Sequence, residues 1–169
     1  GAEMTLHAPY GEVCRYLGYR GGARPEGEVE AQVRACIQKV EQAAQPRAVS
    51  KLFPLTRLGG NRLSLGPMEV ESAALARNLL GCEEVILFAA TLGLEVDRLI
   101  ARASAGRVSQ AAIYQAAGAA LIEEYCDQVN DALRQEAEAA GWYLLPRFSP
   151  GYGDFPIAHQ QAVAQLLRT

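Results

Sequence analysis

Apolar residues recur along most of this chain at spacings of three and four, the period of an amphipathic helix, and run together or alternate in only a few short stretches. Residues 9–17 make a short amphipathic segment closed by Gly18 and by a loop through Arg20, Gly21, Gly22 and Arg24 to Pro25. Between 26 and 44, Val29, Val33, Cys36, Ile37 and Val40 define one helical face, which Pro46 ends. Residues 47–56 are strand-like. Gly59, Gly60 and Asn61 supply a turn and 62–65 return as a second strand, so a hairpin is expected. After Gly66 and Pro67, residues 68–80 are expected to be helical, with Gly81 as a left-handed cap.

The nearly continuous apolar run at 84–90 predicts a strand covered on both faces at the centre of a sheet. Residues 94–103 place Val96, Leu99 and Ile100 on one helical face. The longest periodic segment runs from Val108 through Ala112, Ala116, Ala119, Ile122 and Cys126 to Ala137. Residues 143–145 read as a strand, and Pro156 opens a last helix. Helices around scattered strands, without regular alternation, indicate an α+β fold. The expectation is a mainly helical single domain over 1–169, its long central helix packed on a small mixed or antiparallel sheet, against the strand at 84–90.

Composition adds mainly exclusions. Half of the 169 residues are apolar, 21% are charged, and the net charge is −3 with no basic block, which argues against nucleic acid or an anionic membrane as partner. No apolar run reaches the roughly 18 residues of a membrane span, so the chain reads as cytoplasmic. Cys14, Cys36, Cys82 and Cys126 show no short metal or redox spacing and are expected to act as small core hydrophobes. Dinucleotide, P-loop, zinc-protease and serine-hydrolase motifs are absent. The only histidines are His7 and His159, and no catalytic residue or metal ligand is expected.

The chemically informative stretch is 146–156. Pro146, Pro150 and Pro156 stiffen it and disfavour helix, while Gly151 and Gly153 allow another molecule to approach bare backbone. Arg147 offers a planar fork suited to a carboxylate, Ser149 a hydroxyl and Tyr152 a ring face. The same stretch also reads as a plain connection to the last helix, with Asp154 as its cap. Glu123 borders the apolar stripe of the long helix, whereas Glu124 and Asp131 point away from it. A half-buried carboxylate there calls for a cation, although an edge glutamate reaching water fits as well.

The run Arg147-Phe148-Ser149-Pro150-Gly151-Tyr152, with Pro156 beyond, resembles the R-x-x-P-G-Y motif of the activation domain of cobalamin-dependent methionine synthase, and most closely its stand-alone forms. Residues 87–99 and 117–128 look like that family's strand and long helix, and the likeness covers roughly 45–169. It implies a protein that binds S-adenosylmethionine and serves reductive reactivation of a corrinoid protein. In that process an oxidised cobalamin is reduced by a flavodoxin or iron–sulfur donor and trapped by methylation. Carried over, Arg147 would grip the methionyl carboxylate, Ser149, Gly151 and Tyr152 would line the ligand, and Glu123 would face its amino or sulfonium end.

Cobalamin would be reached only through the partner, since the cobalamin-, folate- and homocysteine-binding modules are missing. The family's domain continues beyond its last helix, so the resemblance also implies a domain cut short at its C-terminus. Whether the chain itself counts as a methyltransferase stays open. The alternative is a non-enzymatic module that docks on a corrinoid protein without S-adenosylmethionine. An independent methyltransferase is disfavoured because no base or activated nucleophile stands near the motif.

Overall fold

The structure, a computed structural model, describes residues 6–145 and residue 147. In chain order its elements are α1 (Tyr10–Tyr16), α2 (Gly27–Ala43), β1 (Arg47–Gly59), β2 (Arg62–Leu65), β3 (Met68–Glu71), α3 (Ala73–Asn78), β4 (Glu84–Thr91), α4 (Leu94–Ser104) and α5 (Val108–Ala139). The fold is α+β, with one helix of 32 residues and a four-stranded sheet among the described residues. Two compact units divide it. One takes residues 6–47 and 90–129, the other 48–89, 130–145 and 147.

The first unit is helical. α2 buries Val33, Cys36, Ile37 and Val40, the expected face, while Val29 in its first turn stays 49% exposed. Glu28 and Glu30 sit in that turn, where the helix dipole favours negative charge. The helix ends at Ala43: Ala44 is already extended, and Gln45, the residue preceding Pro46, is disfavoured from helical conformation. There the chain meets the segment that leads into α4. The Gln45 amide donates to the Leu92 carbonyl at 2.7 Å, and a Cβ on Gly93 would stand 3.3 Å from the Gln45 carbonyl oxygen. With φ at +89°, Gly93 suits this approach on both counts.

The buried face of α5 corrects the expected stripe. Ala111, Ile113, Tyr114, Ala116, Ala117, Ala120 and Leu121 are buried, so Ala116 of the expected stripe does face inward, whereas Val108 is 78% exposed and Ala112 is also exposed. Alanines lie on nearly every side of this helix, so a period-3.6 stripe can be drawn through several faces. Burying Ile113, Tyr114 and Leu121 removes far more apolar area than burying alanines, and that decides which face turns inward. Cys14 and Cys36 are buried and Cys82 and Cys126 half-buried.

The second unit is built on the sheet, ordered β3-β2-β1-β4. β1 and β2 pair antiparallel as expected, with Leu55 opposite Leu65 and Arg57 opposite Leu63. The expected helix from 68 begins instead as a strand. Met68 and Val70 are buried and Glu69 and Glu71 exposed, a period of two, and β3 pairs antiparallel with β2, Leu63 facing Val70 and Leu65 facing Met68. Only after Ser72, whose side chain accepts from the Leu75 amide at 3.1 Å, does the short helix α3 start.

Leu55, Leu63, Leu65, Met68, Val70, Leu75 and Leu79 form this unit's core. The Arg57 guanidinium ties down the end of α3, donating to the carbonyls of Leu79 at 2.7 Å and Cys82 at 3.3 Å. β4 is a strand as expected, but it stands at one end of the sheet order and its residues are only half-buried, so it is neither central nor covered on both faces among the described residues.

Candidate functional site

Of the five residues expected to contact a ligand, Glu123 and Arg147 are described, while Ser149, Gly151 and Tyr152 lie outside the described residues, as does the helix expected from Pro156.

α5 carries Glu123. Because Ala120 and Leu121 occupy the buried face, Glu123 is turned to the exposed side, and Glu124 takes the half-buried position. This reverses the expected placement of the two carboxylates. An exposed carboxylate has no desolvation to offset, so the argument for an obligatory buried cation at Glu123 lapses. Its accessibility to an incoming cationic group is what remains. Asp131 points away as expected and pairs with Arg134 at 3.2 Å. Tyr125, next in the helix, is half-buried, and burial pushes its phenol above the ordinary value, so it stays a neutral hydroxyl at physiological pH.

The end of α5 sets the path toward Arg147. Gly141 takes φ +85°, its amide donates to the Glu138 carbonyl at 3.0 Å, and the Trp142 amide donates to the Ala137 carbonyl at 2.8 Å. This double closure is a Schellman motif, which satisfies terminal carbonyls and turns the chain sharply out of the helix. The residues beyond it do not form the expected strand. Trp142 and Tyr143 are 58% and 81% exposed, and Arg147 is half-buried. A half-buried guanidinium has less hydration left to lose on meeting a carboxylate than a fully exposed one, and it keeps its fork geometry.

Among the described residues, no cluster of three His, Cys, Asp or Glu side chains stands together as a metal site, and no helix is long and apolar enough to cross a membrane. Sequence reasoning passed over one group, the arginines at 15, 20 and 24. Their spacing around a Gly-Gly turn was the available signal, and they line a cleft in the first unit.

No protein-family model matches this chain, and no curated protein matches it in sequence. Among solved structures it is similar to the crystal structure of the MetH reactivation domain bound to AdoHcy, with a TM-score of 0.58 and 17% sequence identity. The match covers 90% of this chain and 63% of that one, so the chain spans less than two thirds of the solved domain's length. At this identity the likeness is one of fold.

Proposed function

We propose that this protein binds S-adenosylmethionine and presents it to a separate corrinoid protein during reductive reactivation. The observation that carries the reading is the fold likeness to a reactivation domain solved with AdoHcy, the molecule left when S-adenosylmethionine gives up its methyl group. The Arg-x-x-Pro-Gly-Tyr run at 147–152 supports it on separate grounds, since that likeness lies in the sequence and not in the fold. Bound S-adenosylmethionine would supply an electrophilic methyl group to a reduced cobalt held by the partner. The chain's own residues bind and orient: Arg147 takes the methionyl carboxylate, Glu123 faces the cationic amino or sulfonium end, and the 149–152 backbone with Tyr152 lines the ligand.

Calorimetric titration of the purified chain with S-adenosylmethionine and with AdoHcy is the test. Saturable binding is expected. Arg147→Ala should weaken it about tenfold to a hundredfold, the range for a hydrogen bond to a charged group, and Arg147→Lys should recover only part, since a point charge lacks the bidentate fork. Absence of binding at millimolar ligand would replace this reading with that of a docking module for the same class of partner. An unchanged dissociation constant in Arg147→Ala would remove Arg147 from the site.

A further inference from the structure

The first unit contains a concave site that the proposed function does not use. α1 ends in its own Schellman closure at Gly18, the Tyr19 amide donating to the Cys14 carbonyl at 3.0 Å, and the chain turns back through residues 19–24. Glu12 and Arg15 on α1 thereby share a cleft with Tyr19, Arg20, Gly22 and Arg24. Its volume is about 590 Å³, within the range of small-molecule sites.

The electrostatics of this cleft are one-sided. Three guanidiniums and a single carboxylate line it, in a chain whose net charge is −3. Glu12 is engaged by Arg15 through Nε at 3.0 Å and Nη2 at 2.8 Å, so the carboxylate and one arginine offset each other. Two positive charges are left in excess. Arg24 donates to its neighbour's carbonyl, Ala23, at 2.8 Å and lies across Gly11, where a Cβ would stand 3.1 Å from its Nη2. The Arg20 carbonyl accepts from the Ala23 amide at 3.0 Å, while the Arg20 guanidinium makes no hydrogen bond or ion pair with any described residue. Between them Gly21 and Gly22 take φ of +62° and +82°, and a Cβ at either would meet nothing within 4 Å, so the backbone there is open to a ligand.

We propose that this cleft binds a small phosphate monoester, its phosphate held by Arg20 and Arg24 and its organic part lying against Tyr19. The charge count selects the class. A phosphate monoester carries nearly two negative charges at neutral pH, with three acceptor oxygens that guanidiniums can approach from different sides. A monocarboxylate would leave one guanidinium without a counter-charge, and a dicarboxylate divides its charge between two separated planar groups.

The probe is phenyl phosphate, titrated into the full chain by heteronuclear NMR at low salt, with benzoate and succinate in parallel. Saturable binding is expected at millimolar dissociation constant or tighter, with amide shifts concentrated in residues 9–24. Arg20→Gln and Arg24→Gln should each weaken it about tenfold, and Glu12→Gln should leave it intact or tighten it. Rising salt should weaken it, as both arginines are exposed. That exposure also means the variants should melt as the parent does, so loss of binding is not loss of fold. Equal binding in the Arg20→Gln, Arg24→Gln double variant overturns the site. Succinate or benzoate binding as tightly as phenyl phosphate overturns the ligand class, and no saturable binding overturns both.

Discussion

Gly66 is the position where a single added methyl group should do most harm. It follows β2 with φ at +63°, its amide donates to the Pro54 carbonyl at 3.3 Å, and the Phe53 ring of β1 occupies the space a side chain here would enter. A Cβ there would overlap Cδ1 of that ring and stand 2.8 Å from Cγ and 2.9 Å from Cε1. Ordinary carbon contacts lie near 3.5 to 4.0 Å, so ring or backbone has to move. Two costs combine: about 1 to 2 kcal/mol for a side chain in the left-handed region, and about 1 to 3 kcal/mol for overpacking. Gly66→Ala is therefore expected to lose about 2 to 5 kcal/mol.

Gly60→Ala is the matched control, since Gly60 has φ +57° and nothing within 4 Å of an added Cβ, and it should carry only the backbone cost. Urea unfolding followed by circular dichroism measures both. In a Phe53→Ala background the two glycine substitutions should cost the same. If Gly66→Ala and Gly60→Ala differ by less than about 0.5 kcal/mol in the parent, the ring yields freely and the packing argument is wrong.

Leu121→Ala, at a fully buried site on α5, should cost about 2 to 5 kcal/mol, whereas Val108→Ala, at a position 78% exposed, should change stability little; the reverse ranking in the same denaturation assay would restore the face read from the alanines. Ser72→Ala removes the cap on α3 at a residue only 1% exposed and should cost about 0.5 to 2 kcal/mol, with Ser72→Asp retaining more of the stability; equal midpoints for the alanine variant and parent would contradict the capping role. Burial raises the Cys36 thiol above 9.0 and the Tyr125 phenol above 10.0, so the unfolded chain ionises at these groups before the folded one does. The stability they contribute is complete below those values and is lost as pH climbs through and beyond them. Melting temperature should accordingly fall above about pH 9, less steeply in Tyr125→Phe, and a flat alkaline profile would count against both burials.

The parts of the fold that were legible from residue order are those where pattern and punctuation agree. α2 has four apolar residues on one face and a proline just past its end, and the β1–β2 hairpin has a glycine-rich turn between strand-like runs. β3 escaped because four alternating residues leading directly into Ser72 and a helical turn look like the start of a longer helix; pairing with β2 supplies the hydrogen bonds that decide otherwise. The orientation of α5 escaped because its alanines make the period ambiguous, and Glu123 and Glu124 exchanged places with it. At the candidate ligand site, Arg147 and its neighbours form a short chemical pattern in the sequence, and residues 148–152 of it lie outside the described residues. The cleft at residues 9–24 was not legible in the sequence, since arginines around a loop acquire meaning only when a turn brings them to one side of a helix.

The meeting of Gln45 with Leu92 and Gly93 makes the first unit discontinuous in sequence, since all of residues 48–89 belong to the other unit. During synthesis, Val33, Cys36, Ile37 and Val40 of α2 therefore emerge well before the α4 and α5 residues that share their core. The first unit thus closes late, at the entropic cost of a long intervening loop, and its N-terminal helices expose an apolar face to the translation machinery until that closure. The segment 48–89 is also joined at two points brought within hydrogen-bonding reach of each other, so a short linker from Gln45 to Leu92 could replace it with little strain on the helices it leaves behind.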